Sequence, residues 1–510
     1  MGSEMCIRDS CEPVKWSAMT DKKPDLTTTA GKIEDLRNRL AESREPMGSE
    51  ATRAAGEAGI STARQRIEAL LDTDSFLETD ALARHRVEEY GMGRTKPATD
   101  GVVTGYGLID GRRVTVYAHD ASIFDGQMGE VYAEKILKIY DLAIKTGVPV
   151  IAIHDSTGGR LQEGVVTAAM SAKILRKATE ASGVVPQISV VAGEVASLAA
   201  LLVPVSDITV MVKDATMHLT SVSAVTKVTR RVATAKSLGG SDVHSKVTGI
   251  AHLVAPTDVE AMSTVRDLIG FLPENNRAAS PINESSTEPE TGDLDTFIPN
   301  SDAESYDVRE IITRVTDKGL TELSRGYADN IVTGFAHISG RAVGIVANQP
   351  SVLAGCLDHA AATKAARFIR VCDSFNIPIV EFVDSPGFFP SEEEEHLGSA
   401  THGAALAFAY AEAQVGKITV ITRRAIGPSY VTMGSKDLGA DIVLAWPTAQ
   451  IALADATTAA ELLSVDADEY AATTMTPYVA TERGLVDIVI EPSQTRTQVL
   501  EACLLYTSPS

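Results

Sequence analysis

Apolar residues at Tyr132, Ile136, Tyr140 and Ala143 recur at i, i+4, i+8 and i+11, while Lys135, Lys138 and Asp141 fall elsewhere. That spacing predicts an amphipathic helix with one face turned inward. Short β-branched apolar runs at Val148 to Ile153 and Ile377 to Val383, each beside a proline, predict buried parallel strands. Ahead of them, the segments 102–120 and 331–349 each read as strand, turn, strand, divided by Asp110-Gly111 and Ser339-Gly340. Lys32 to Leu40 and Thr62 to Leu71 predict two short charged amphipathic helices that form an N-terminal clasp.

These patterns occur twice. Gly105 pairs with Gly334, Gly111 with Gly340, Lys135 with Lys364, Pro149 with Pro378 and Asp155 with Asp384, all at one offset (334 − 105 = 384 − 155 = 229). No gap is needed over more than fifty residues, and about sixteen positions are identical. Both apolar strands end in Asp-Ser-x-Gly, at Asp155 to Gly158 and Asp384 to Gly387. A second strand in each copy is expected to end at a glycine, Ile188 to Ala192 leading into Gly193 and Ile418 to Thr422 leading into Gly427. The expected fold is α/β, two similar domains related by internal duplication, joined by the polar stretch from Glu274 to about Pro299. The boundaries are set at 23–295 and 296–502, with 1–22 a non-native leader and 503–510 a non-native tail.

A chain of 510 residues has room for several domains, and its composition is that of a globular protein. The formal net charge of -22 argues against nucleic acid or an anionic membrane as partner, and no eighteen-residue apolar run offers a membrane span. Five scattered cysteines without a CxxC pair fit a reducing, cytoplasmic setting.

Strand–glycine–helix turns aim backbone N–H groups at a ligand. Paired donors of this kind stabilise a developing oxyanion, on the order of 3 kcal/mol each. A thioester enolate is a fitting substrate, because it needs an electrostatic cradle more than a nucleophile. GxGxxG, P-loop, HExxH and GxSxG signatures are absent, and the ten histidines form no cluster at metal spacing, so no metal site is expected. The run Glu392 to Glu395 reads as a solvated loop or, alternatively, a mobile lid.

From about Lys23 to Arg496 the chain resembles the carboxyltransferase β subunit of biotin-dependent acyl-CoA carboxylases, of the actinobacterial acetyl-/propionyl-CoA type. The likeness is carried by ATDGVVTGYG (98–107), GEVYAEKILKIYDLAIKTGVPVI (129–151), RLQEGVV (160–166), SGVVPQIS (182–189), NQP (348–350), KAARFIRVCDSFNIP (364–378), VDSPGF (383–388) and AWPTAQIA (445–452). The resemblance implies two crotonase-like (ββα-superhelix) domains and a hexamer, homo- or hetero-oligomeric, whose sites lie between subunits. The N-terminal domain of one subunit holds acyl-CoA, and the C-terminal domain of its neighbour holds biotin. It further implies that a carboxyl group moves from carboxybiotin to the α-carbon of a short acyl-CoA, acetyl- or propionyl-CoA, with no metal in this chain. A biotin carboxylase/biotin carboxyl carrier α subunit would then carry biotin and the ATP-dependent step, because no Met-Lys-Met biotinylation site is present. By resemblance, Gly193, Ala196, Gly427 and Tyr430 are the catalytic positions, and Gly126, Gly158, Gly159 and Arg160 bind substrate. Gly387, Gly398, His402 and Gly403 form the lid on the biotin side.

The departures from the family pattern gather in these loops. Its Ala-Gly-Gly cradle is Ala196-Ser197-Leu198 here, and its Gly-Gly-Ala-Tyr is Gly427-Pro428-Ser429-Tyr430. Leu198 brings a side chain where acyl-CoA should approach, and Pro428 has no N–H to donate. Val431 stands where the family tunes acyl-chain preference. Three readings remain: an active carboxyltransferase, with Ser429 or a shifted loop supplying the lost donor; a weakened paralogue serving as a structural or regulatory subunit of a mixed oligomer; and an acyl-CoA decarboxylase of the same fold.

Overall fold

The computed structural model of the chain describes residues 24–48 and 61–507, apart from 285, 286, 288, 290–292, 302 and 318. The leader expected at 1–22 lies outside the described residues. The N-terminal half contributes β1 (Leu77–Thr79), β2 (Val102–Ile109), β3 (Arg112–His119), β4 (Val150–Ser156), β5 (Gln187–Ala196), β6 (Ile208–Val212), β7 (Thr216–His218) and β8 (Leu253–Ala255). The C-terminal half contributes β9 (Thr321–Leu323), β10 (Ile331–Ile338), β11 (Arg341–Asn348), β12 (Ile379–Ser385), β13 (Lys417–Ile426), β14 (Ile442–Ala445), β15 (Gln450–Ala452) and β16 (Ile488–Val489). The sheet orders are β1-β2-β3-β4-β5-β6-β8 with β7 on β5, and β9-β10-β11-β12-β13-β14-β16 with β15 on β13. The second sheet repeats the first strand for strand, so the duplication read in the sequence is a duplication of topology.

Local chemistry explains the repeated elements. Asp110 and Gly111 have φ of 49° and 76°, and Ser339 and Gly340 have 49° and 73°. A two-residue hairpin matching the strand twist needs both residues at positive φ. From β3 to β6 and from β11 to β14 the pairing is parallel. β4 and β12 are buried along their whole length. Each breaks register near its end, between His154 and Ser156 and between Val383 and Ser385. Both bulges lie at the Asp-Ser-x-Gly sequence, and re-aiming the chain next to a site is a recurring use of a β-bulge.

The predicted helix spans Glu130–Thr146, with Tyr132, Ile136, Tyr140 and Ala143 buried. Lys135, expected on the polar face, is buried as well. Its ammonium donates to the carbonyls of Thr99 and Val102. Lys364, its counterpart, donates to Ser324, Tyr327 and Ile331. A buried ammonium is tolerable only when its protons find acceptors; Lys364 has a carbonyl for each of its three, and Lys135 has carbonyls for two. Burial lowers both lysines to about 8.

One expected boundary needs correcting: β5 does not stop before Gly193 but runs on to Ala196. Residues 503 to 507 lie in the helix Thr495–Thr507, with Cys503 buried. The linker lies along both halves: Asn276 N–H donates to Val184, and Asn283 N–H to Gly340. Phe271 stacks on Phe335 at 5.6 Å between ring centres, which packs the two halves together.

Candidate functional site

In each copy the site begins where the β4 or β12 chain leaves the sheet. Gly158, at φ 117°, follows the bulge, and its carbonyl accepts from Met128 N–H at 2.8 Å. In the second copy Gly387, at φ 145°, accepts from Leu357 N–H at 3.0 Å. Beneath each turn is a second glycine, Gly126 or Gly355, where a Cβ would collide with the carbonyl of Asp155 or Asp384. That close approach is what glycine permits.

The other wall is the end of β5 or β13. Ser197 has φ 55° and Gly427 has φ 57°, so these two are the counterparts, and Gly193 is not a turn residue. The repeat offset grows by one between the walls, since Ser156 on Val195 corresponds to Ser385 on Ala425 (385 − 156 = 229; 425 − 195 = 230). Gly193 therefore matches Arg423. A Cβ at Gly193 would strike the Asp155 carboxylate, so the missing side chain makes room for that group. Ala196 is extended, and Ser197 turns the chain into a 3₁₀ helix Ser197–Leu201. The walls touch: a Cβ on Gly158 would lie 3.1 Å from Ser197 Cβ, and one on Gly159 would lie 3.5 Å from Leu198 Cδ1. Ala196, Gly158, Gly159 and Gly126 thus come together, with the Leu198 side chain beside Gly159.

Arg160 is placed differently from the expected ligand contact. It is buried, pairs with Asp100 at 2.8 Å and Glu163 at 3.0 Å, and lies over the Phe124 ring. Its guanidinium also donates to the Gln127 and Asp100 carbonyls. These contacts strut the loop that carries Gly126.

In the C-terminal half, the helix Gly427–Thr432 starts at Gly427 and holds Pro428 in its first turn. Ser429 is buried, and its hydroxyl lies 2.8 Å from the Ile426 carbonyl and 3.1 Å from the Ser385 carbonyl. Its one hydrogen is taken up between these two carbonyls, so the Ser429 side chain does not replace the Pro428 N–H. The approach to the Ser385 carbonyl sets the Gly427 turn beside the Gly387 turn. Tyr430 packs against the core, its hydroxyl is a buried polar atom without a partner, and burial raises its pKa.

The expected lid residues divide. A Cβ on Gly403 would lie 2.8 Å from Phe388 Cζ, so Gly403 seats the residue after Gly387. Gly398, in the left-handed region, caps the helix Ser399–Glu412. His402 is engaged by Thr363 at 2.8 Å and lies beside the His359 ring. The acidic run is a short helix Glu392–His396, and Glu394 accepts from His359 N–H at 2.9 Å in the first turn of the preceding helix His359–Ser374.

Sequence reasoning missed the charged groups that hold these walls. Asp155 pairs with Arg66, from the helix Ala63–Leu70, at 2.8 Å. Asp384 pairs instead with Arg423 at 2.9 Å and Arg424 at 3.0 Å, both on β13. The one-residue change of offset, which sets Arg423 against Gly193, was the signal available in the sequence.

Among the described residues no group of His, Cys, Asp and Glu could hold a metal ion, and no helix is long and apolar enough to cross a membrane. A family model, the carboxyl transferase domain, matches residues 55–509. The chain is 47% identical over 507 residues to the biotin-dependent acetyl-/propionyl-coenzyme A carboxylase beta5 subunit of Mycobacterium tuberculosis, spanning 94% of this chain and 92% of that one. It is 43% identical over 494 residues to the methylmalonyl-CoA decarboxylase subunit alpha of Veillonella parvula, spanning 95% and 97%. Among solved structures it is similar to the transcarboxylase 12S hexamer with hydrolysed methylmalonyl-coenzyme A bound, at TM-score 0.91 and 40% identity over 95% of this chain and 97% of that one.

Proposed function

The chain belongs to the carboxyl transferase family, and from that premise we infer how its two turns divide the work of an acyl-CoA carboxylase. It is a carboxyltransferase β subunit of the crotonase-like fold, delivering a carboxyl group to an acyl-CoA. The observation that carries the division of labour is the repeated pair of walls, Gly158 against Ser197 and the Gly387 turn beside the Gly427 turn through Ser385 and Ser429. The first receives the thioester of acetyl- or propionyl-CoA, with the backbone after Ala196 facing the oxygen that gains charge when the α-proton leaves. The second, with Gly427 and Tyr430, orients the ring carried by a biotinylated α subunit. Carboxybiotin, when bound, supplies the carboxyl group. The chain contributes fixed dipoles and the exclusion of water, which agrees with a site that offers no nucleophile.

The neighbour that completes the site is a second copy of this chain. Two duplicated arms expose apolar side chains: Leu219, Val228 and Val232 after β7, and Leu453, Leu462 and Leu463 after β15. A twofold arrangement sets the N-terminal arm of one copy against the C-terminal arm of the other, and each copy gives and receives the same contact. This is the dimeric step toward a hexamer.

The test is turnover. The chain is combined with its biotinylated partner, ATP and labelled bicarbonate, and given acetyl- or propionyl-CoA. Label in the acyl-CoA at enzyme-like rates is the expected result. A complex that assembles with full biotin loading yet transfers nothing overturns it, and would leave the chain as an assembly subunit. Loss of a carboxyl group from malonyl- or methylmalonyl-CoA without a biotinylated partner would instead favour the decarboxylase reading.

A further inference from the structure

Arg66 belongs to the short helix expected only to clasp the fold, yet its guanidinium is inside the N-terminal domain, 3% exposed. It reaches Asp155 Oδ2 at 2.8 Å, Asp258 Oδ2 at 3.0 Å and the Ala192 carbonyl at 3.3 Å. These contacts bind both walls of the acyl-CoA turn at once. Asp155 opens the Ser156–Gly158 turn, and Ala192 lies on β5 ahead of Ala196 and Ser197. A planar guanidinium can hold three acceptors in a fixed fork, whereas an ammonium is a point charge on a flexible stem. Gly193 supplies the space, since any side chain there would displace the Asp155 carboxylate.

The second copy shows what the same position does without such a clasp. Where Gly193 stands in the first, Arg423 stands in the second, and with Arg424 it holds Asp384 from within the same sheet. The biotin-side wall is therefore fixed by its own strand, and the acyl-CoA wall by a residue that lies 89 positions from Asp155 in sequence.

We propose that Arg66 is the positioning residue of the acyl-CoA half-site, setting the Gly158 turn against the Ser197 turn, while Arg423 and Arg424 do the same for the biotin half-site. The assignment of halves rests on the function proposed above. Arg66 touches no reacting atom; it acts through Asp155 and the Ala192 carbonyl.

The experiment uses the chain assembled with its biotinylated partner and compares the wild type with Arg66→Lys, Arg66→Met and Arg423→Lys. Arg66→Lys keeps a cation between the two carboxylates, so folding survives where Arg66→Met could fail; thermal melts report the folded fraction. Acyl-CoA affinity is measured directly by calorimetry, and KM is measured separately for acyl-CoA and for the biotinylated partner. For Arg66→Lys we expect acyl-CoA affinity and kcat/KM for acyl-CoA to fall about tenfold, with KM for the partner unchanged. Arg423→Lys should show the opposite split. Wild-type values throughout in Arg66→Lys, or equal changes in both KM values, would overturn the proposal. A wild type that binds acyl-CoA but never carboxylates it sinks the carboxylase reading alone, because the binding measurement still decides Arg66. A wild type that binds no acyl-CoA sinks both.

Discussion

Glu381 lies in the middle of β12, fully enclosed, with Tyr410 donating its hydroxyl to one carboxyl oxygen. Thr419 Oγ1 stands 3.1 Å from the other oxygen and 2.7 Å from the Gly434 carbonyl. Thr419 has one hydrogen, and the carbonyl can only accept, so that hydrogen goes to Gly434. The short approach to Glu381 then requires the carboxyl to carry a proton. Burial raises its pKa to about 8, in agreement with a neutral acid at neutral pH. Above about pH 4.5 the unfolded chain gives up this proton, while the folded chain keeps it until about pH 8, so stability falls as pH rises across that window. Glu381→Gln preserves both hydrogen bonds without a proton to lose. Its stability relative to the wild type should be near parity at pH 4.5 and higher by a few kcal/mol, in order of magnitude, at pH 8. Denaturant unfolding at the two pH values checks this, and a difference that does not change with pH rules it out. Lys135 and Lys364 titrate with the opposite sign and above this window, being lowered to about 8 from 10.5, so they leave the comparison clean.

At the scale of the elements, the hairpins, the buried strands and the Asp-Ser-x-Gly exits were legible because their signals are local. Positive φ at Asp110-Gly111 and an apolar run of strand length are written in adjacent residues. The end of β5 was not, since a glycine inside a strand looks like a glycine that ends one; only the packing of Asp155 shows why Gly193 is there. Arg66 and Lys135 read as surface charges for the same reason: the carboxylates and carbonyls that engage them come from distant parts of the chain or from a neighbouring loop. The loss expected at Pro428 belongs to this scale too. Proline in the first turn of Gly427–Thr432 keeps the helix while removing an N–H, and Ser429 is committed within the turn. Pro428→Ala restores the donor with a Cβ already accommodated. Carboxyl transfer should rise by up to about a hundredfold, at little cost in stability, with the gain in the dependence on the biotinylated partner. Steady-state kinetics decide it, and an unchanged rate would place the donor elsewhere in the turn.

For the whole molecule, the proposed function places both half-sites in each chain and makes the arms after β7 and β15 the surfaces that bring them together between chains. A surface with a net charge of -22 keeps copies apart unless apolar area compensates. Val228 is 82% exposed and Leu462 is 78% exposed, on helices Val222–Thr229 and Ala456–Leu463 that occupy corresponding places in the two copies. Scattered apolar residues on a surface mean little, but the same exposure on both members of a duplicated pair fits a contact made twice about one axis. Val228→Asp or Leu462→Asp places a charge in that contact without touching either core. Each variant should sediment as smaller species than the wild type at equal concentration and lose carboxyl transfer, while its melt stays within a few degrees of the wild-type chain dissociated by dilution. A mixed pair of the two variants has one contact free of aspartate and one that holds both, so mixing should recover at most part of the assembly and of the activity. If both variants sediment and turn over as the wild type does, the arms are not the joint, and the two half-sites meet through some other face.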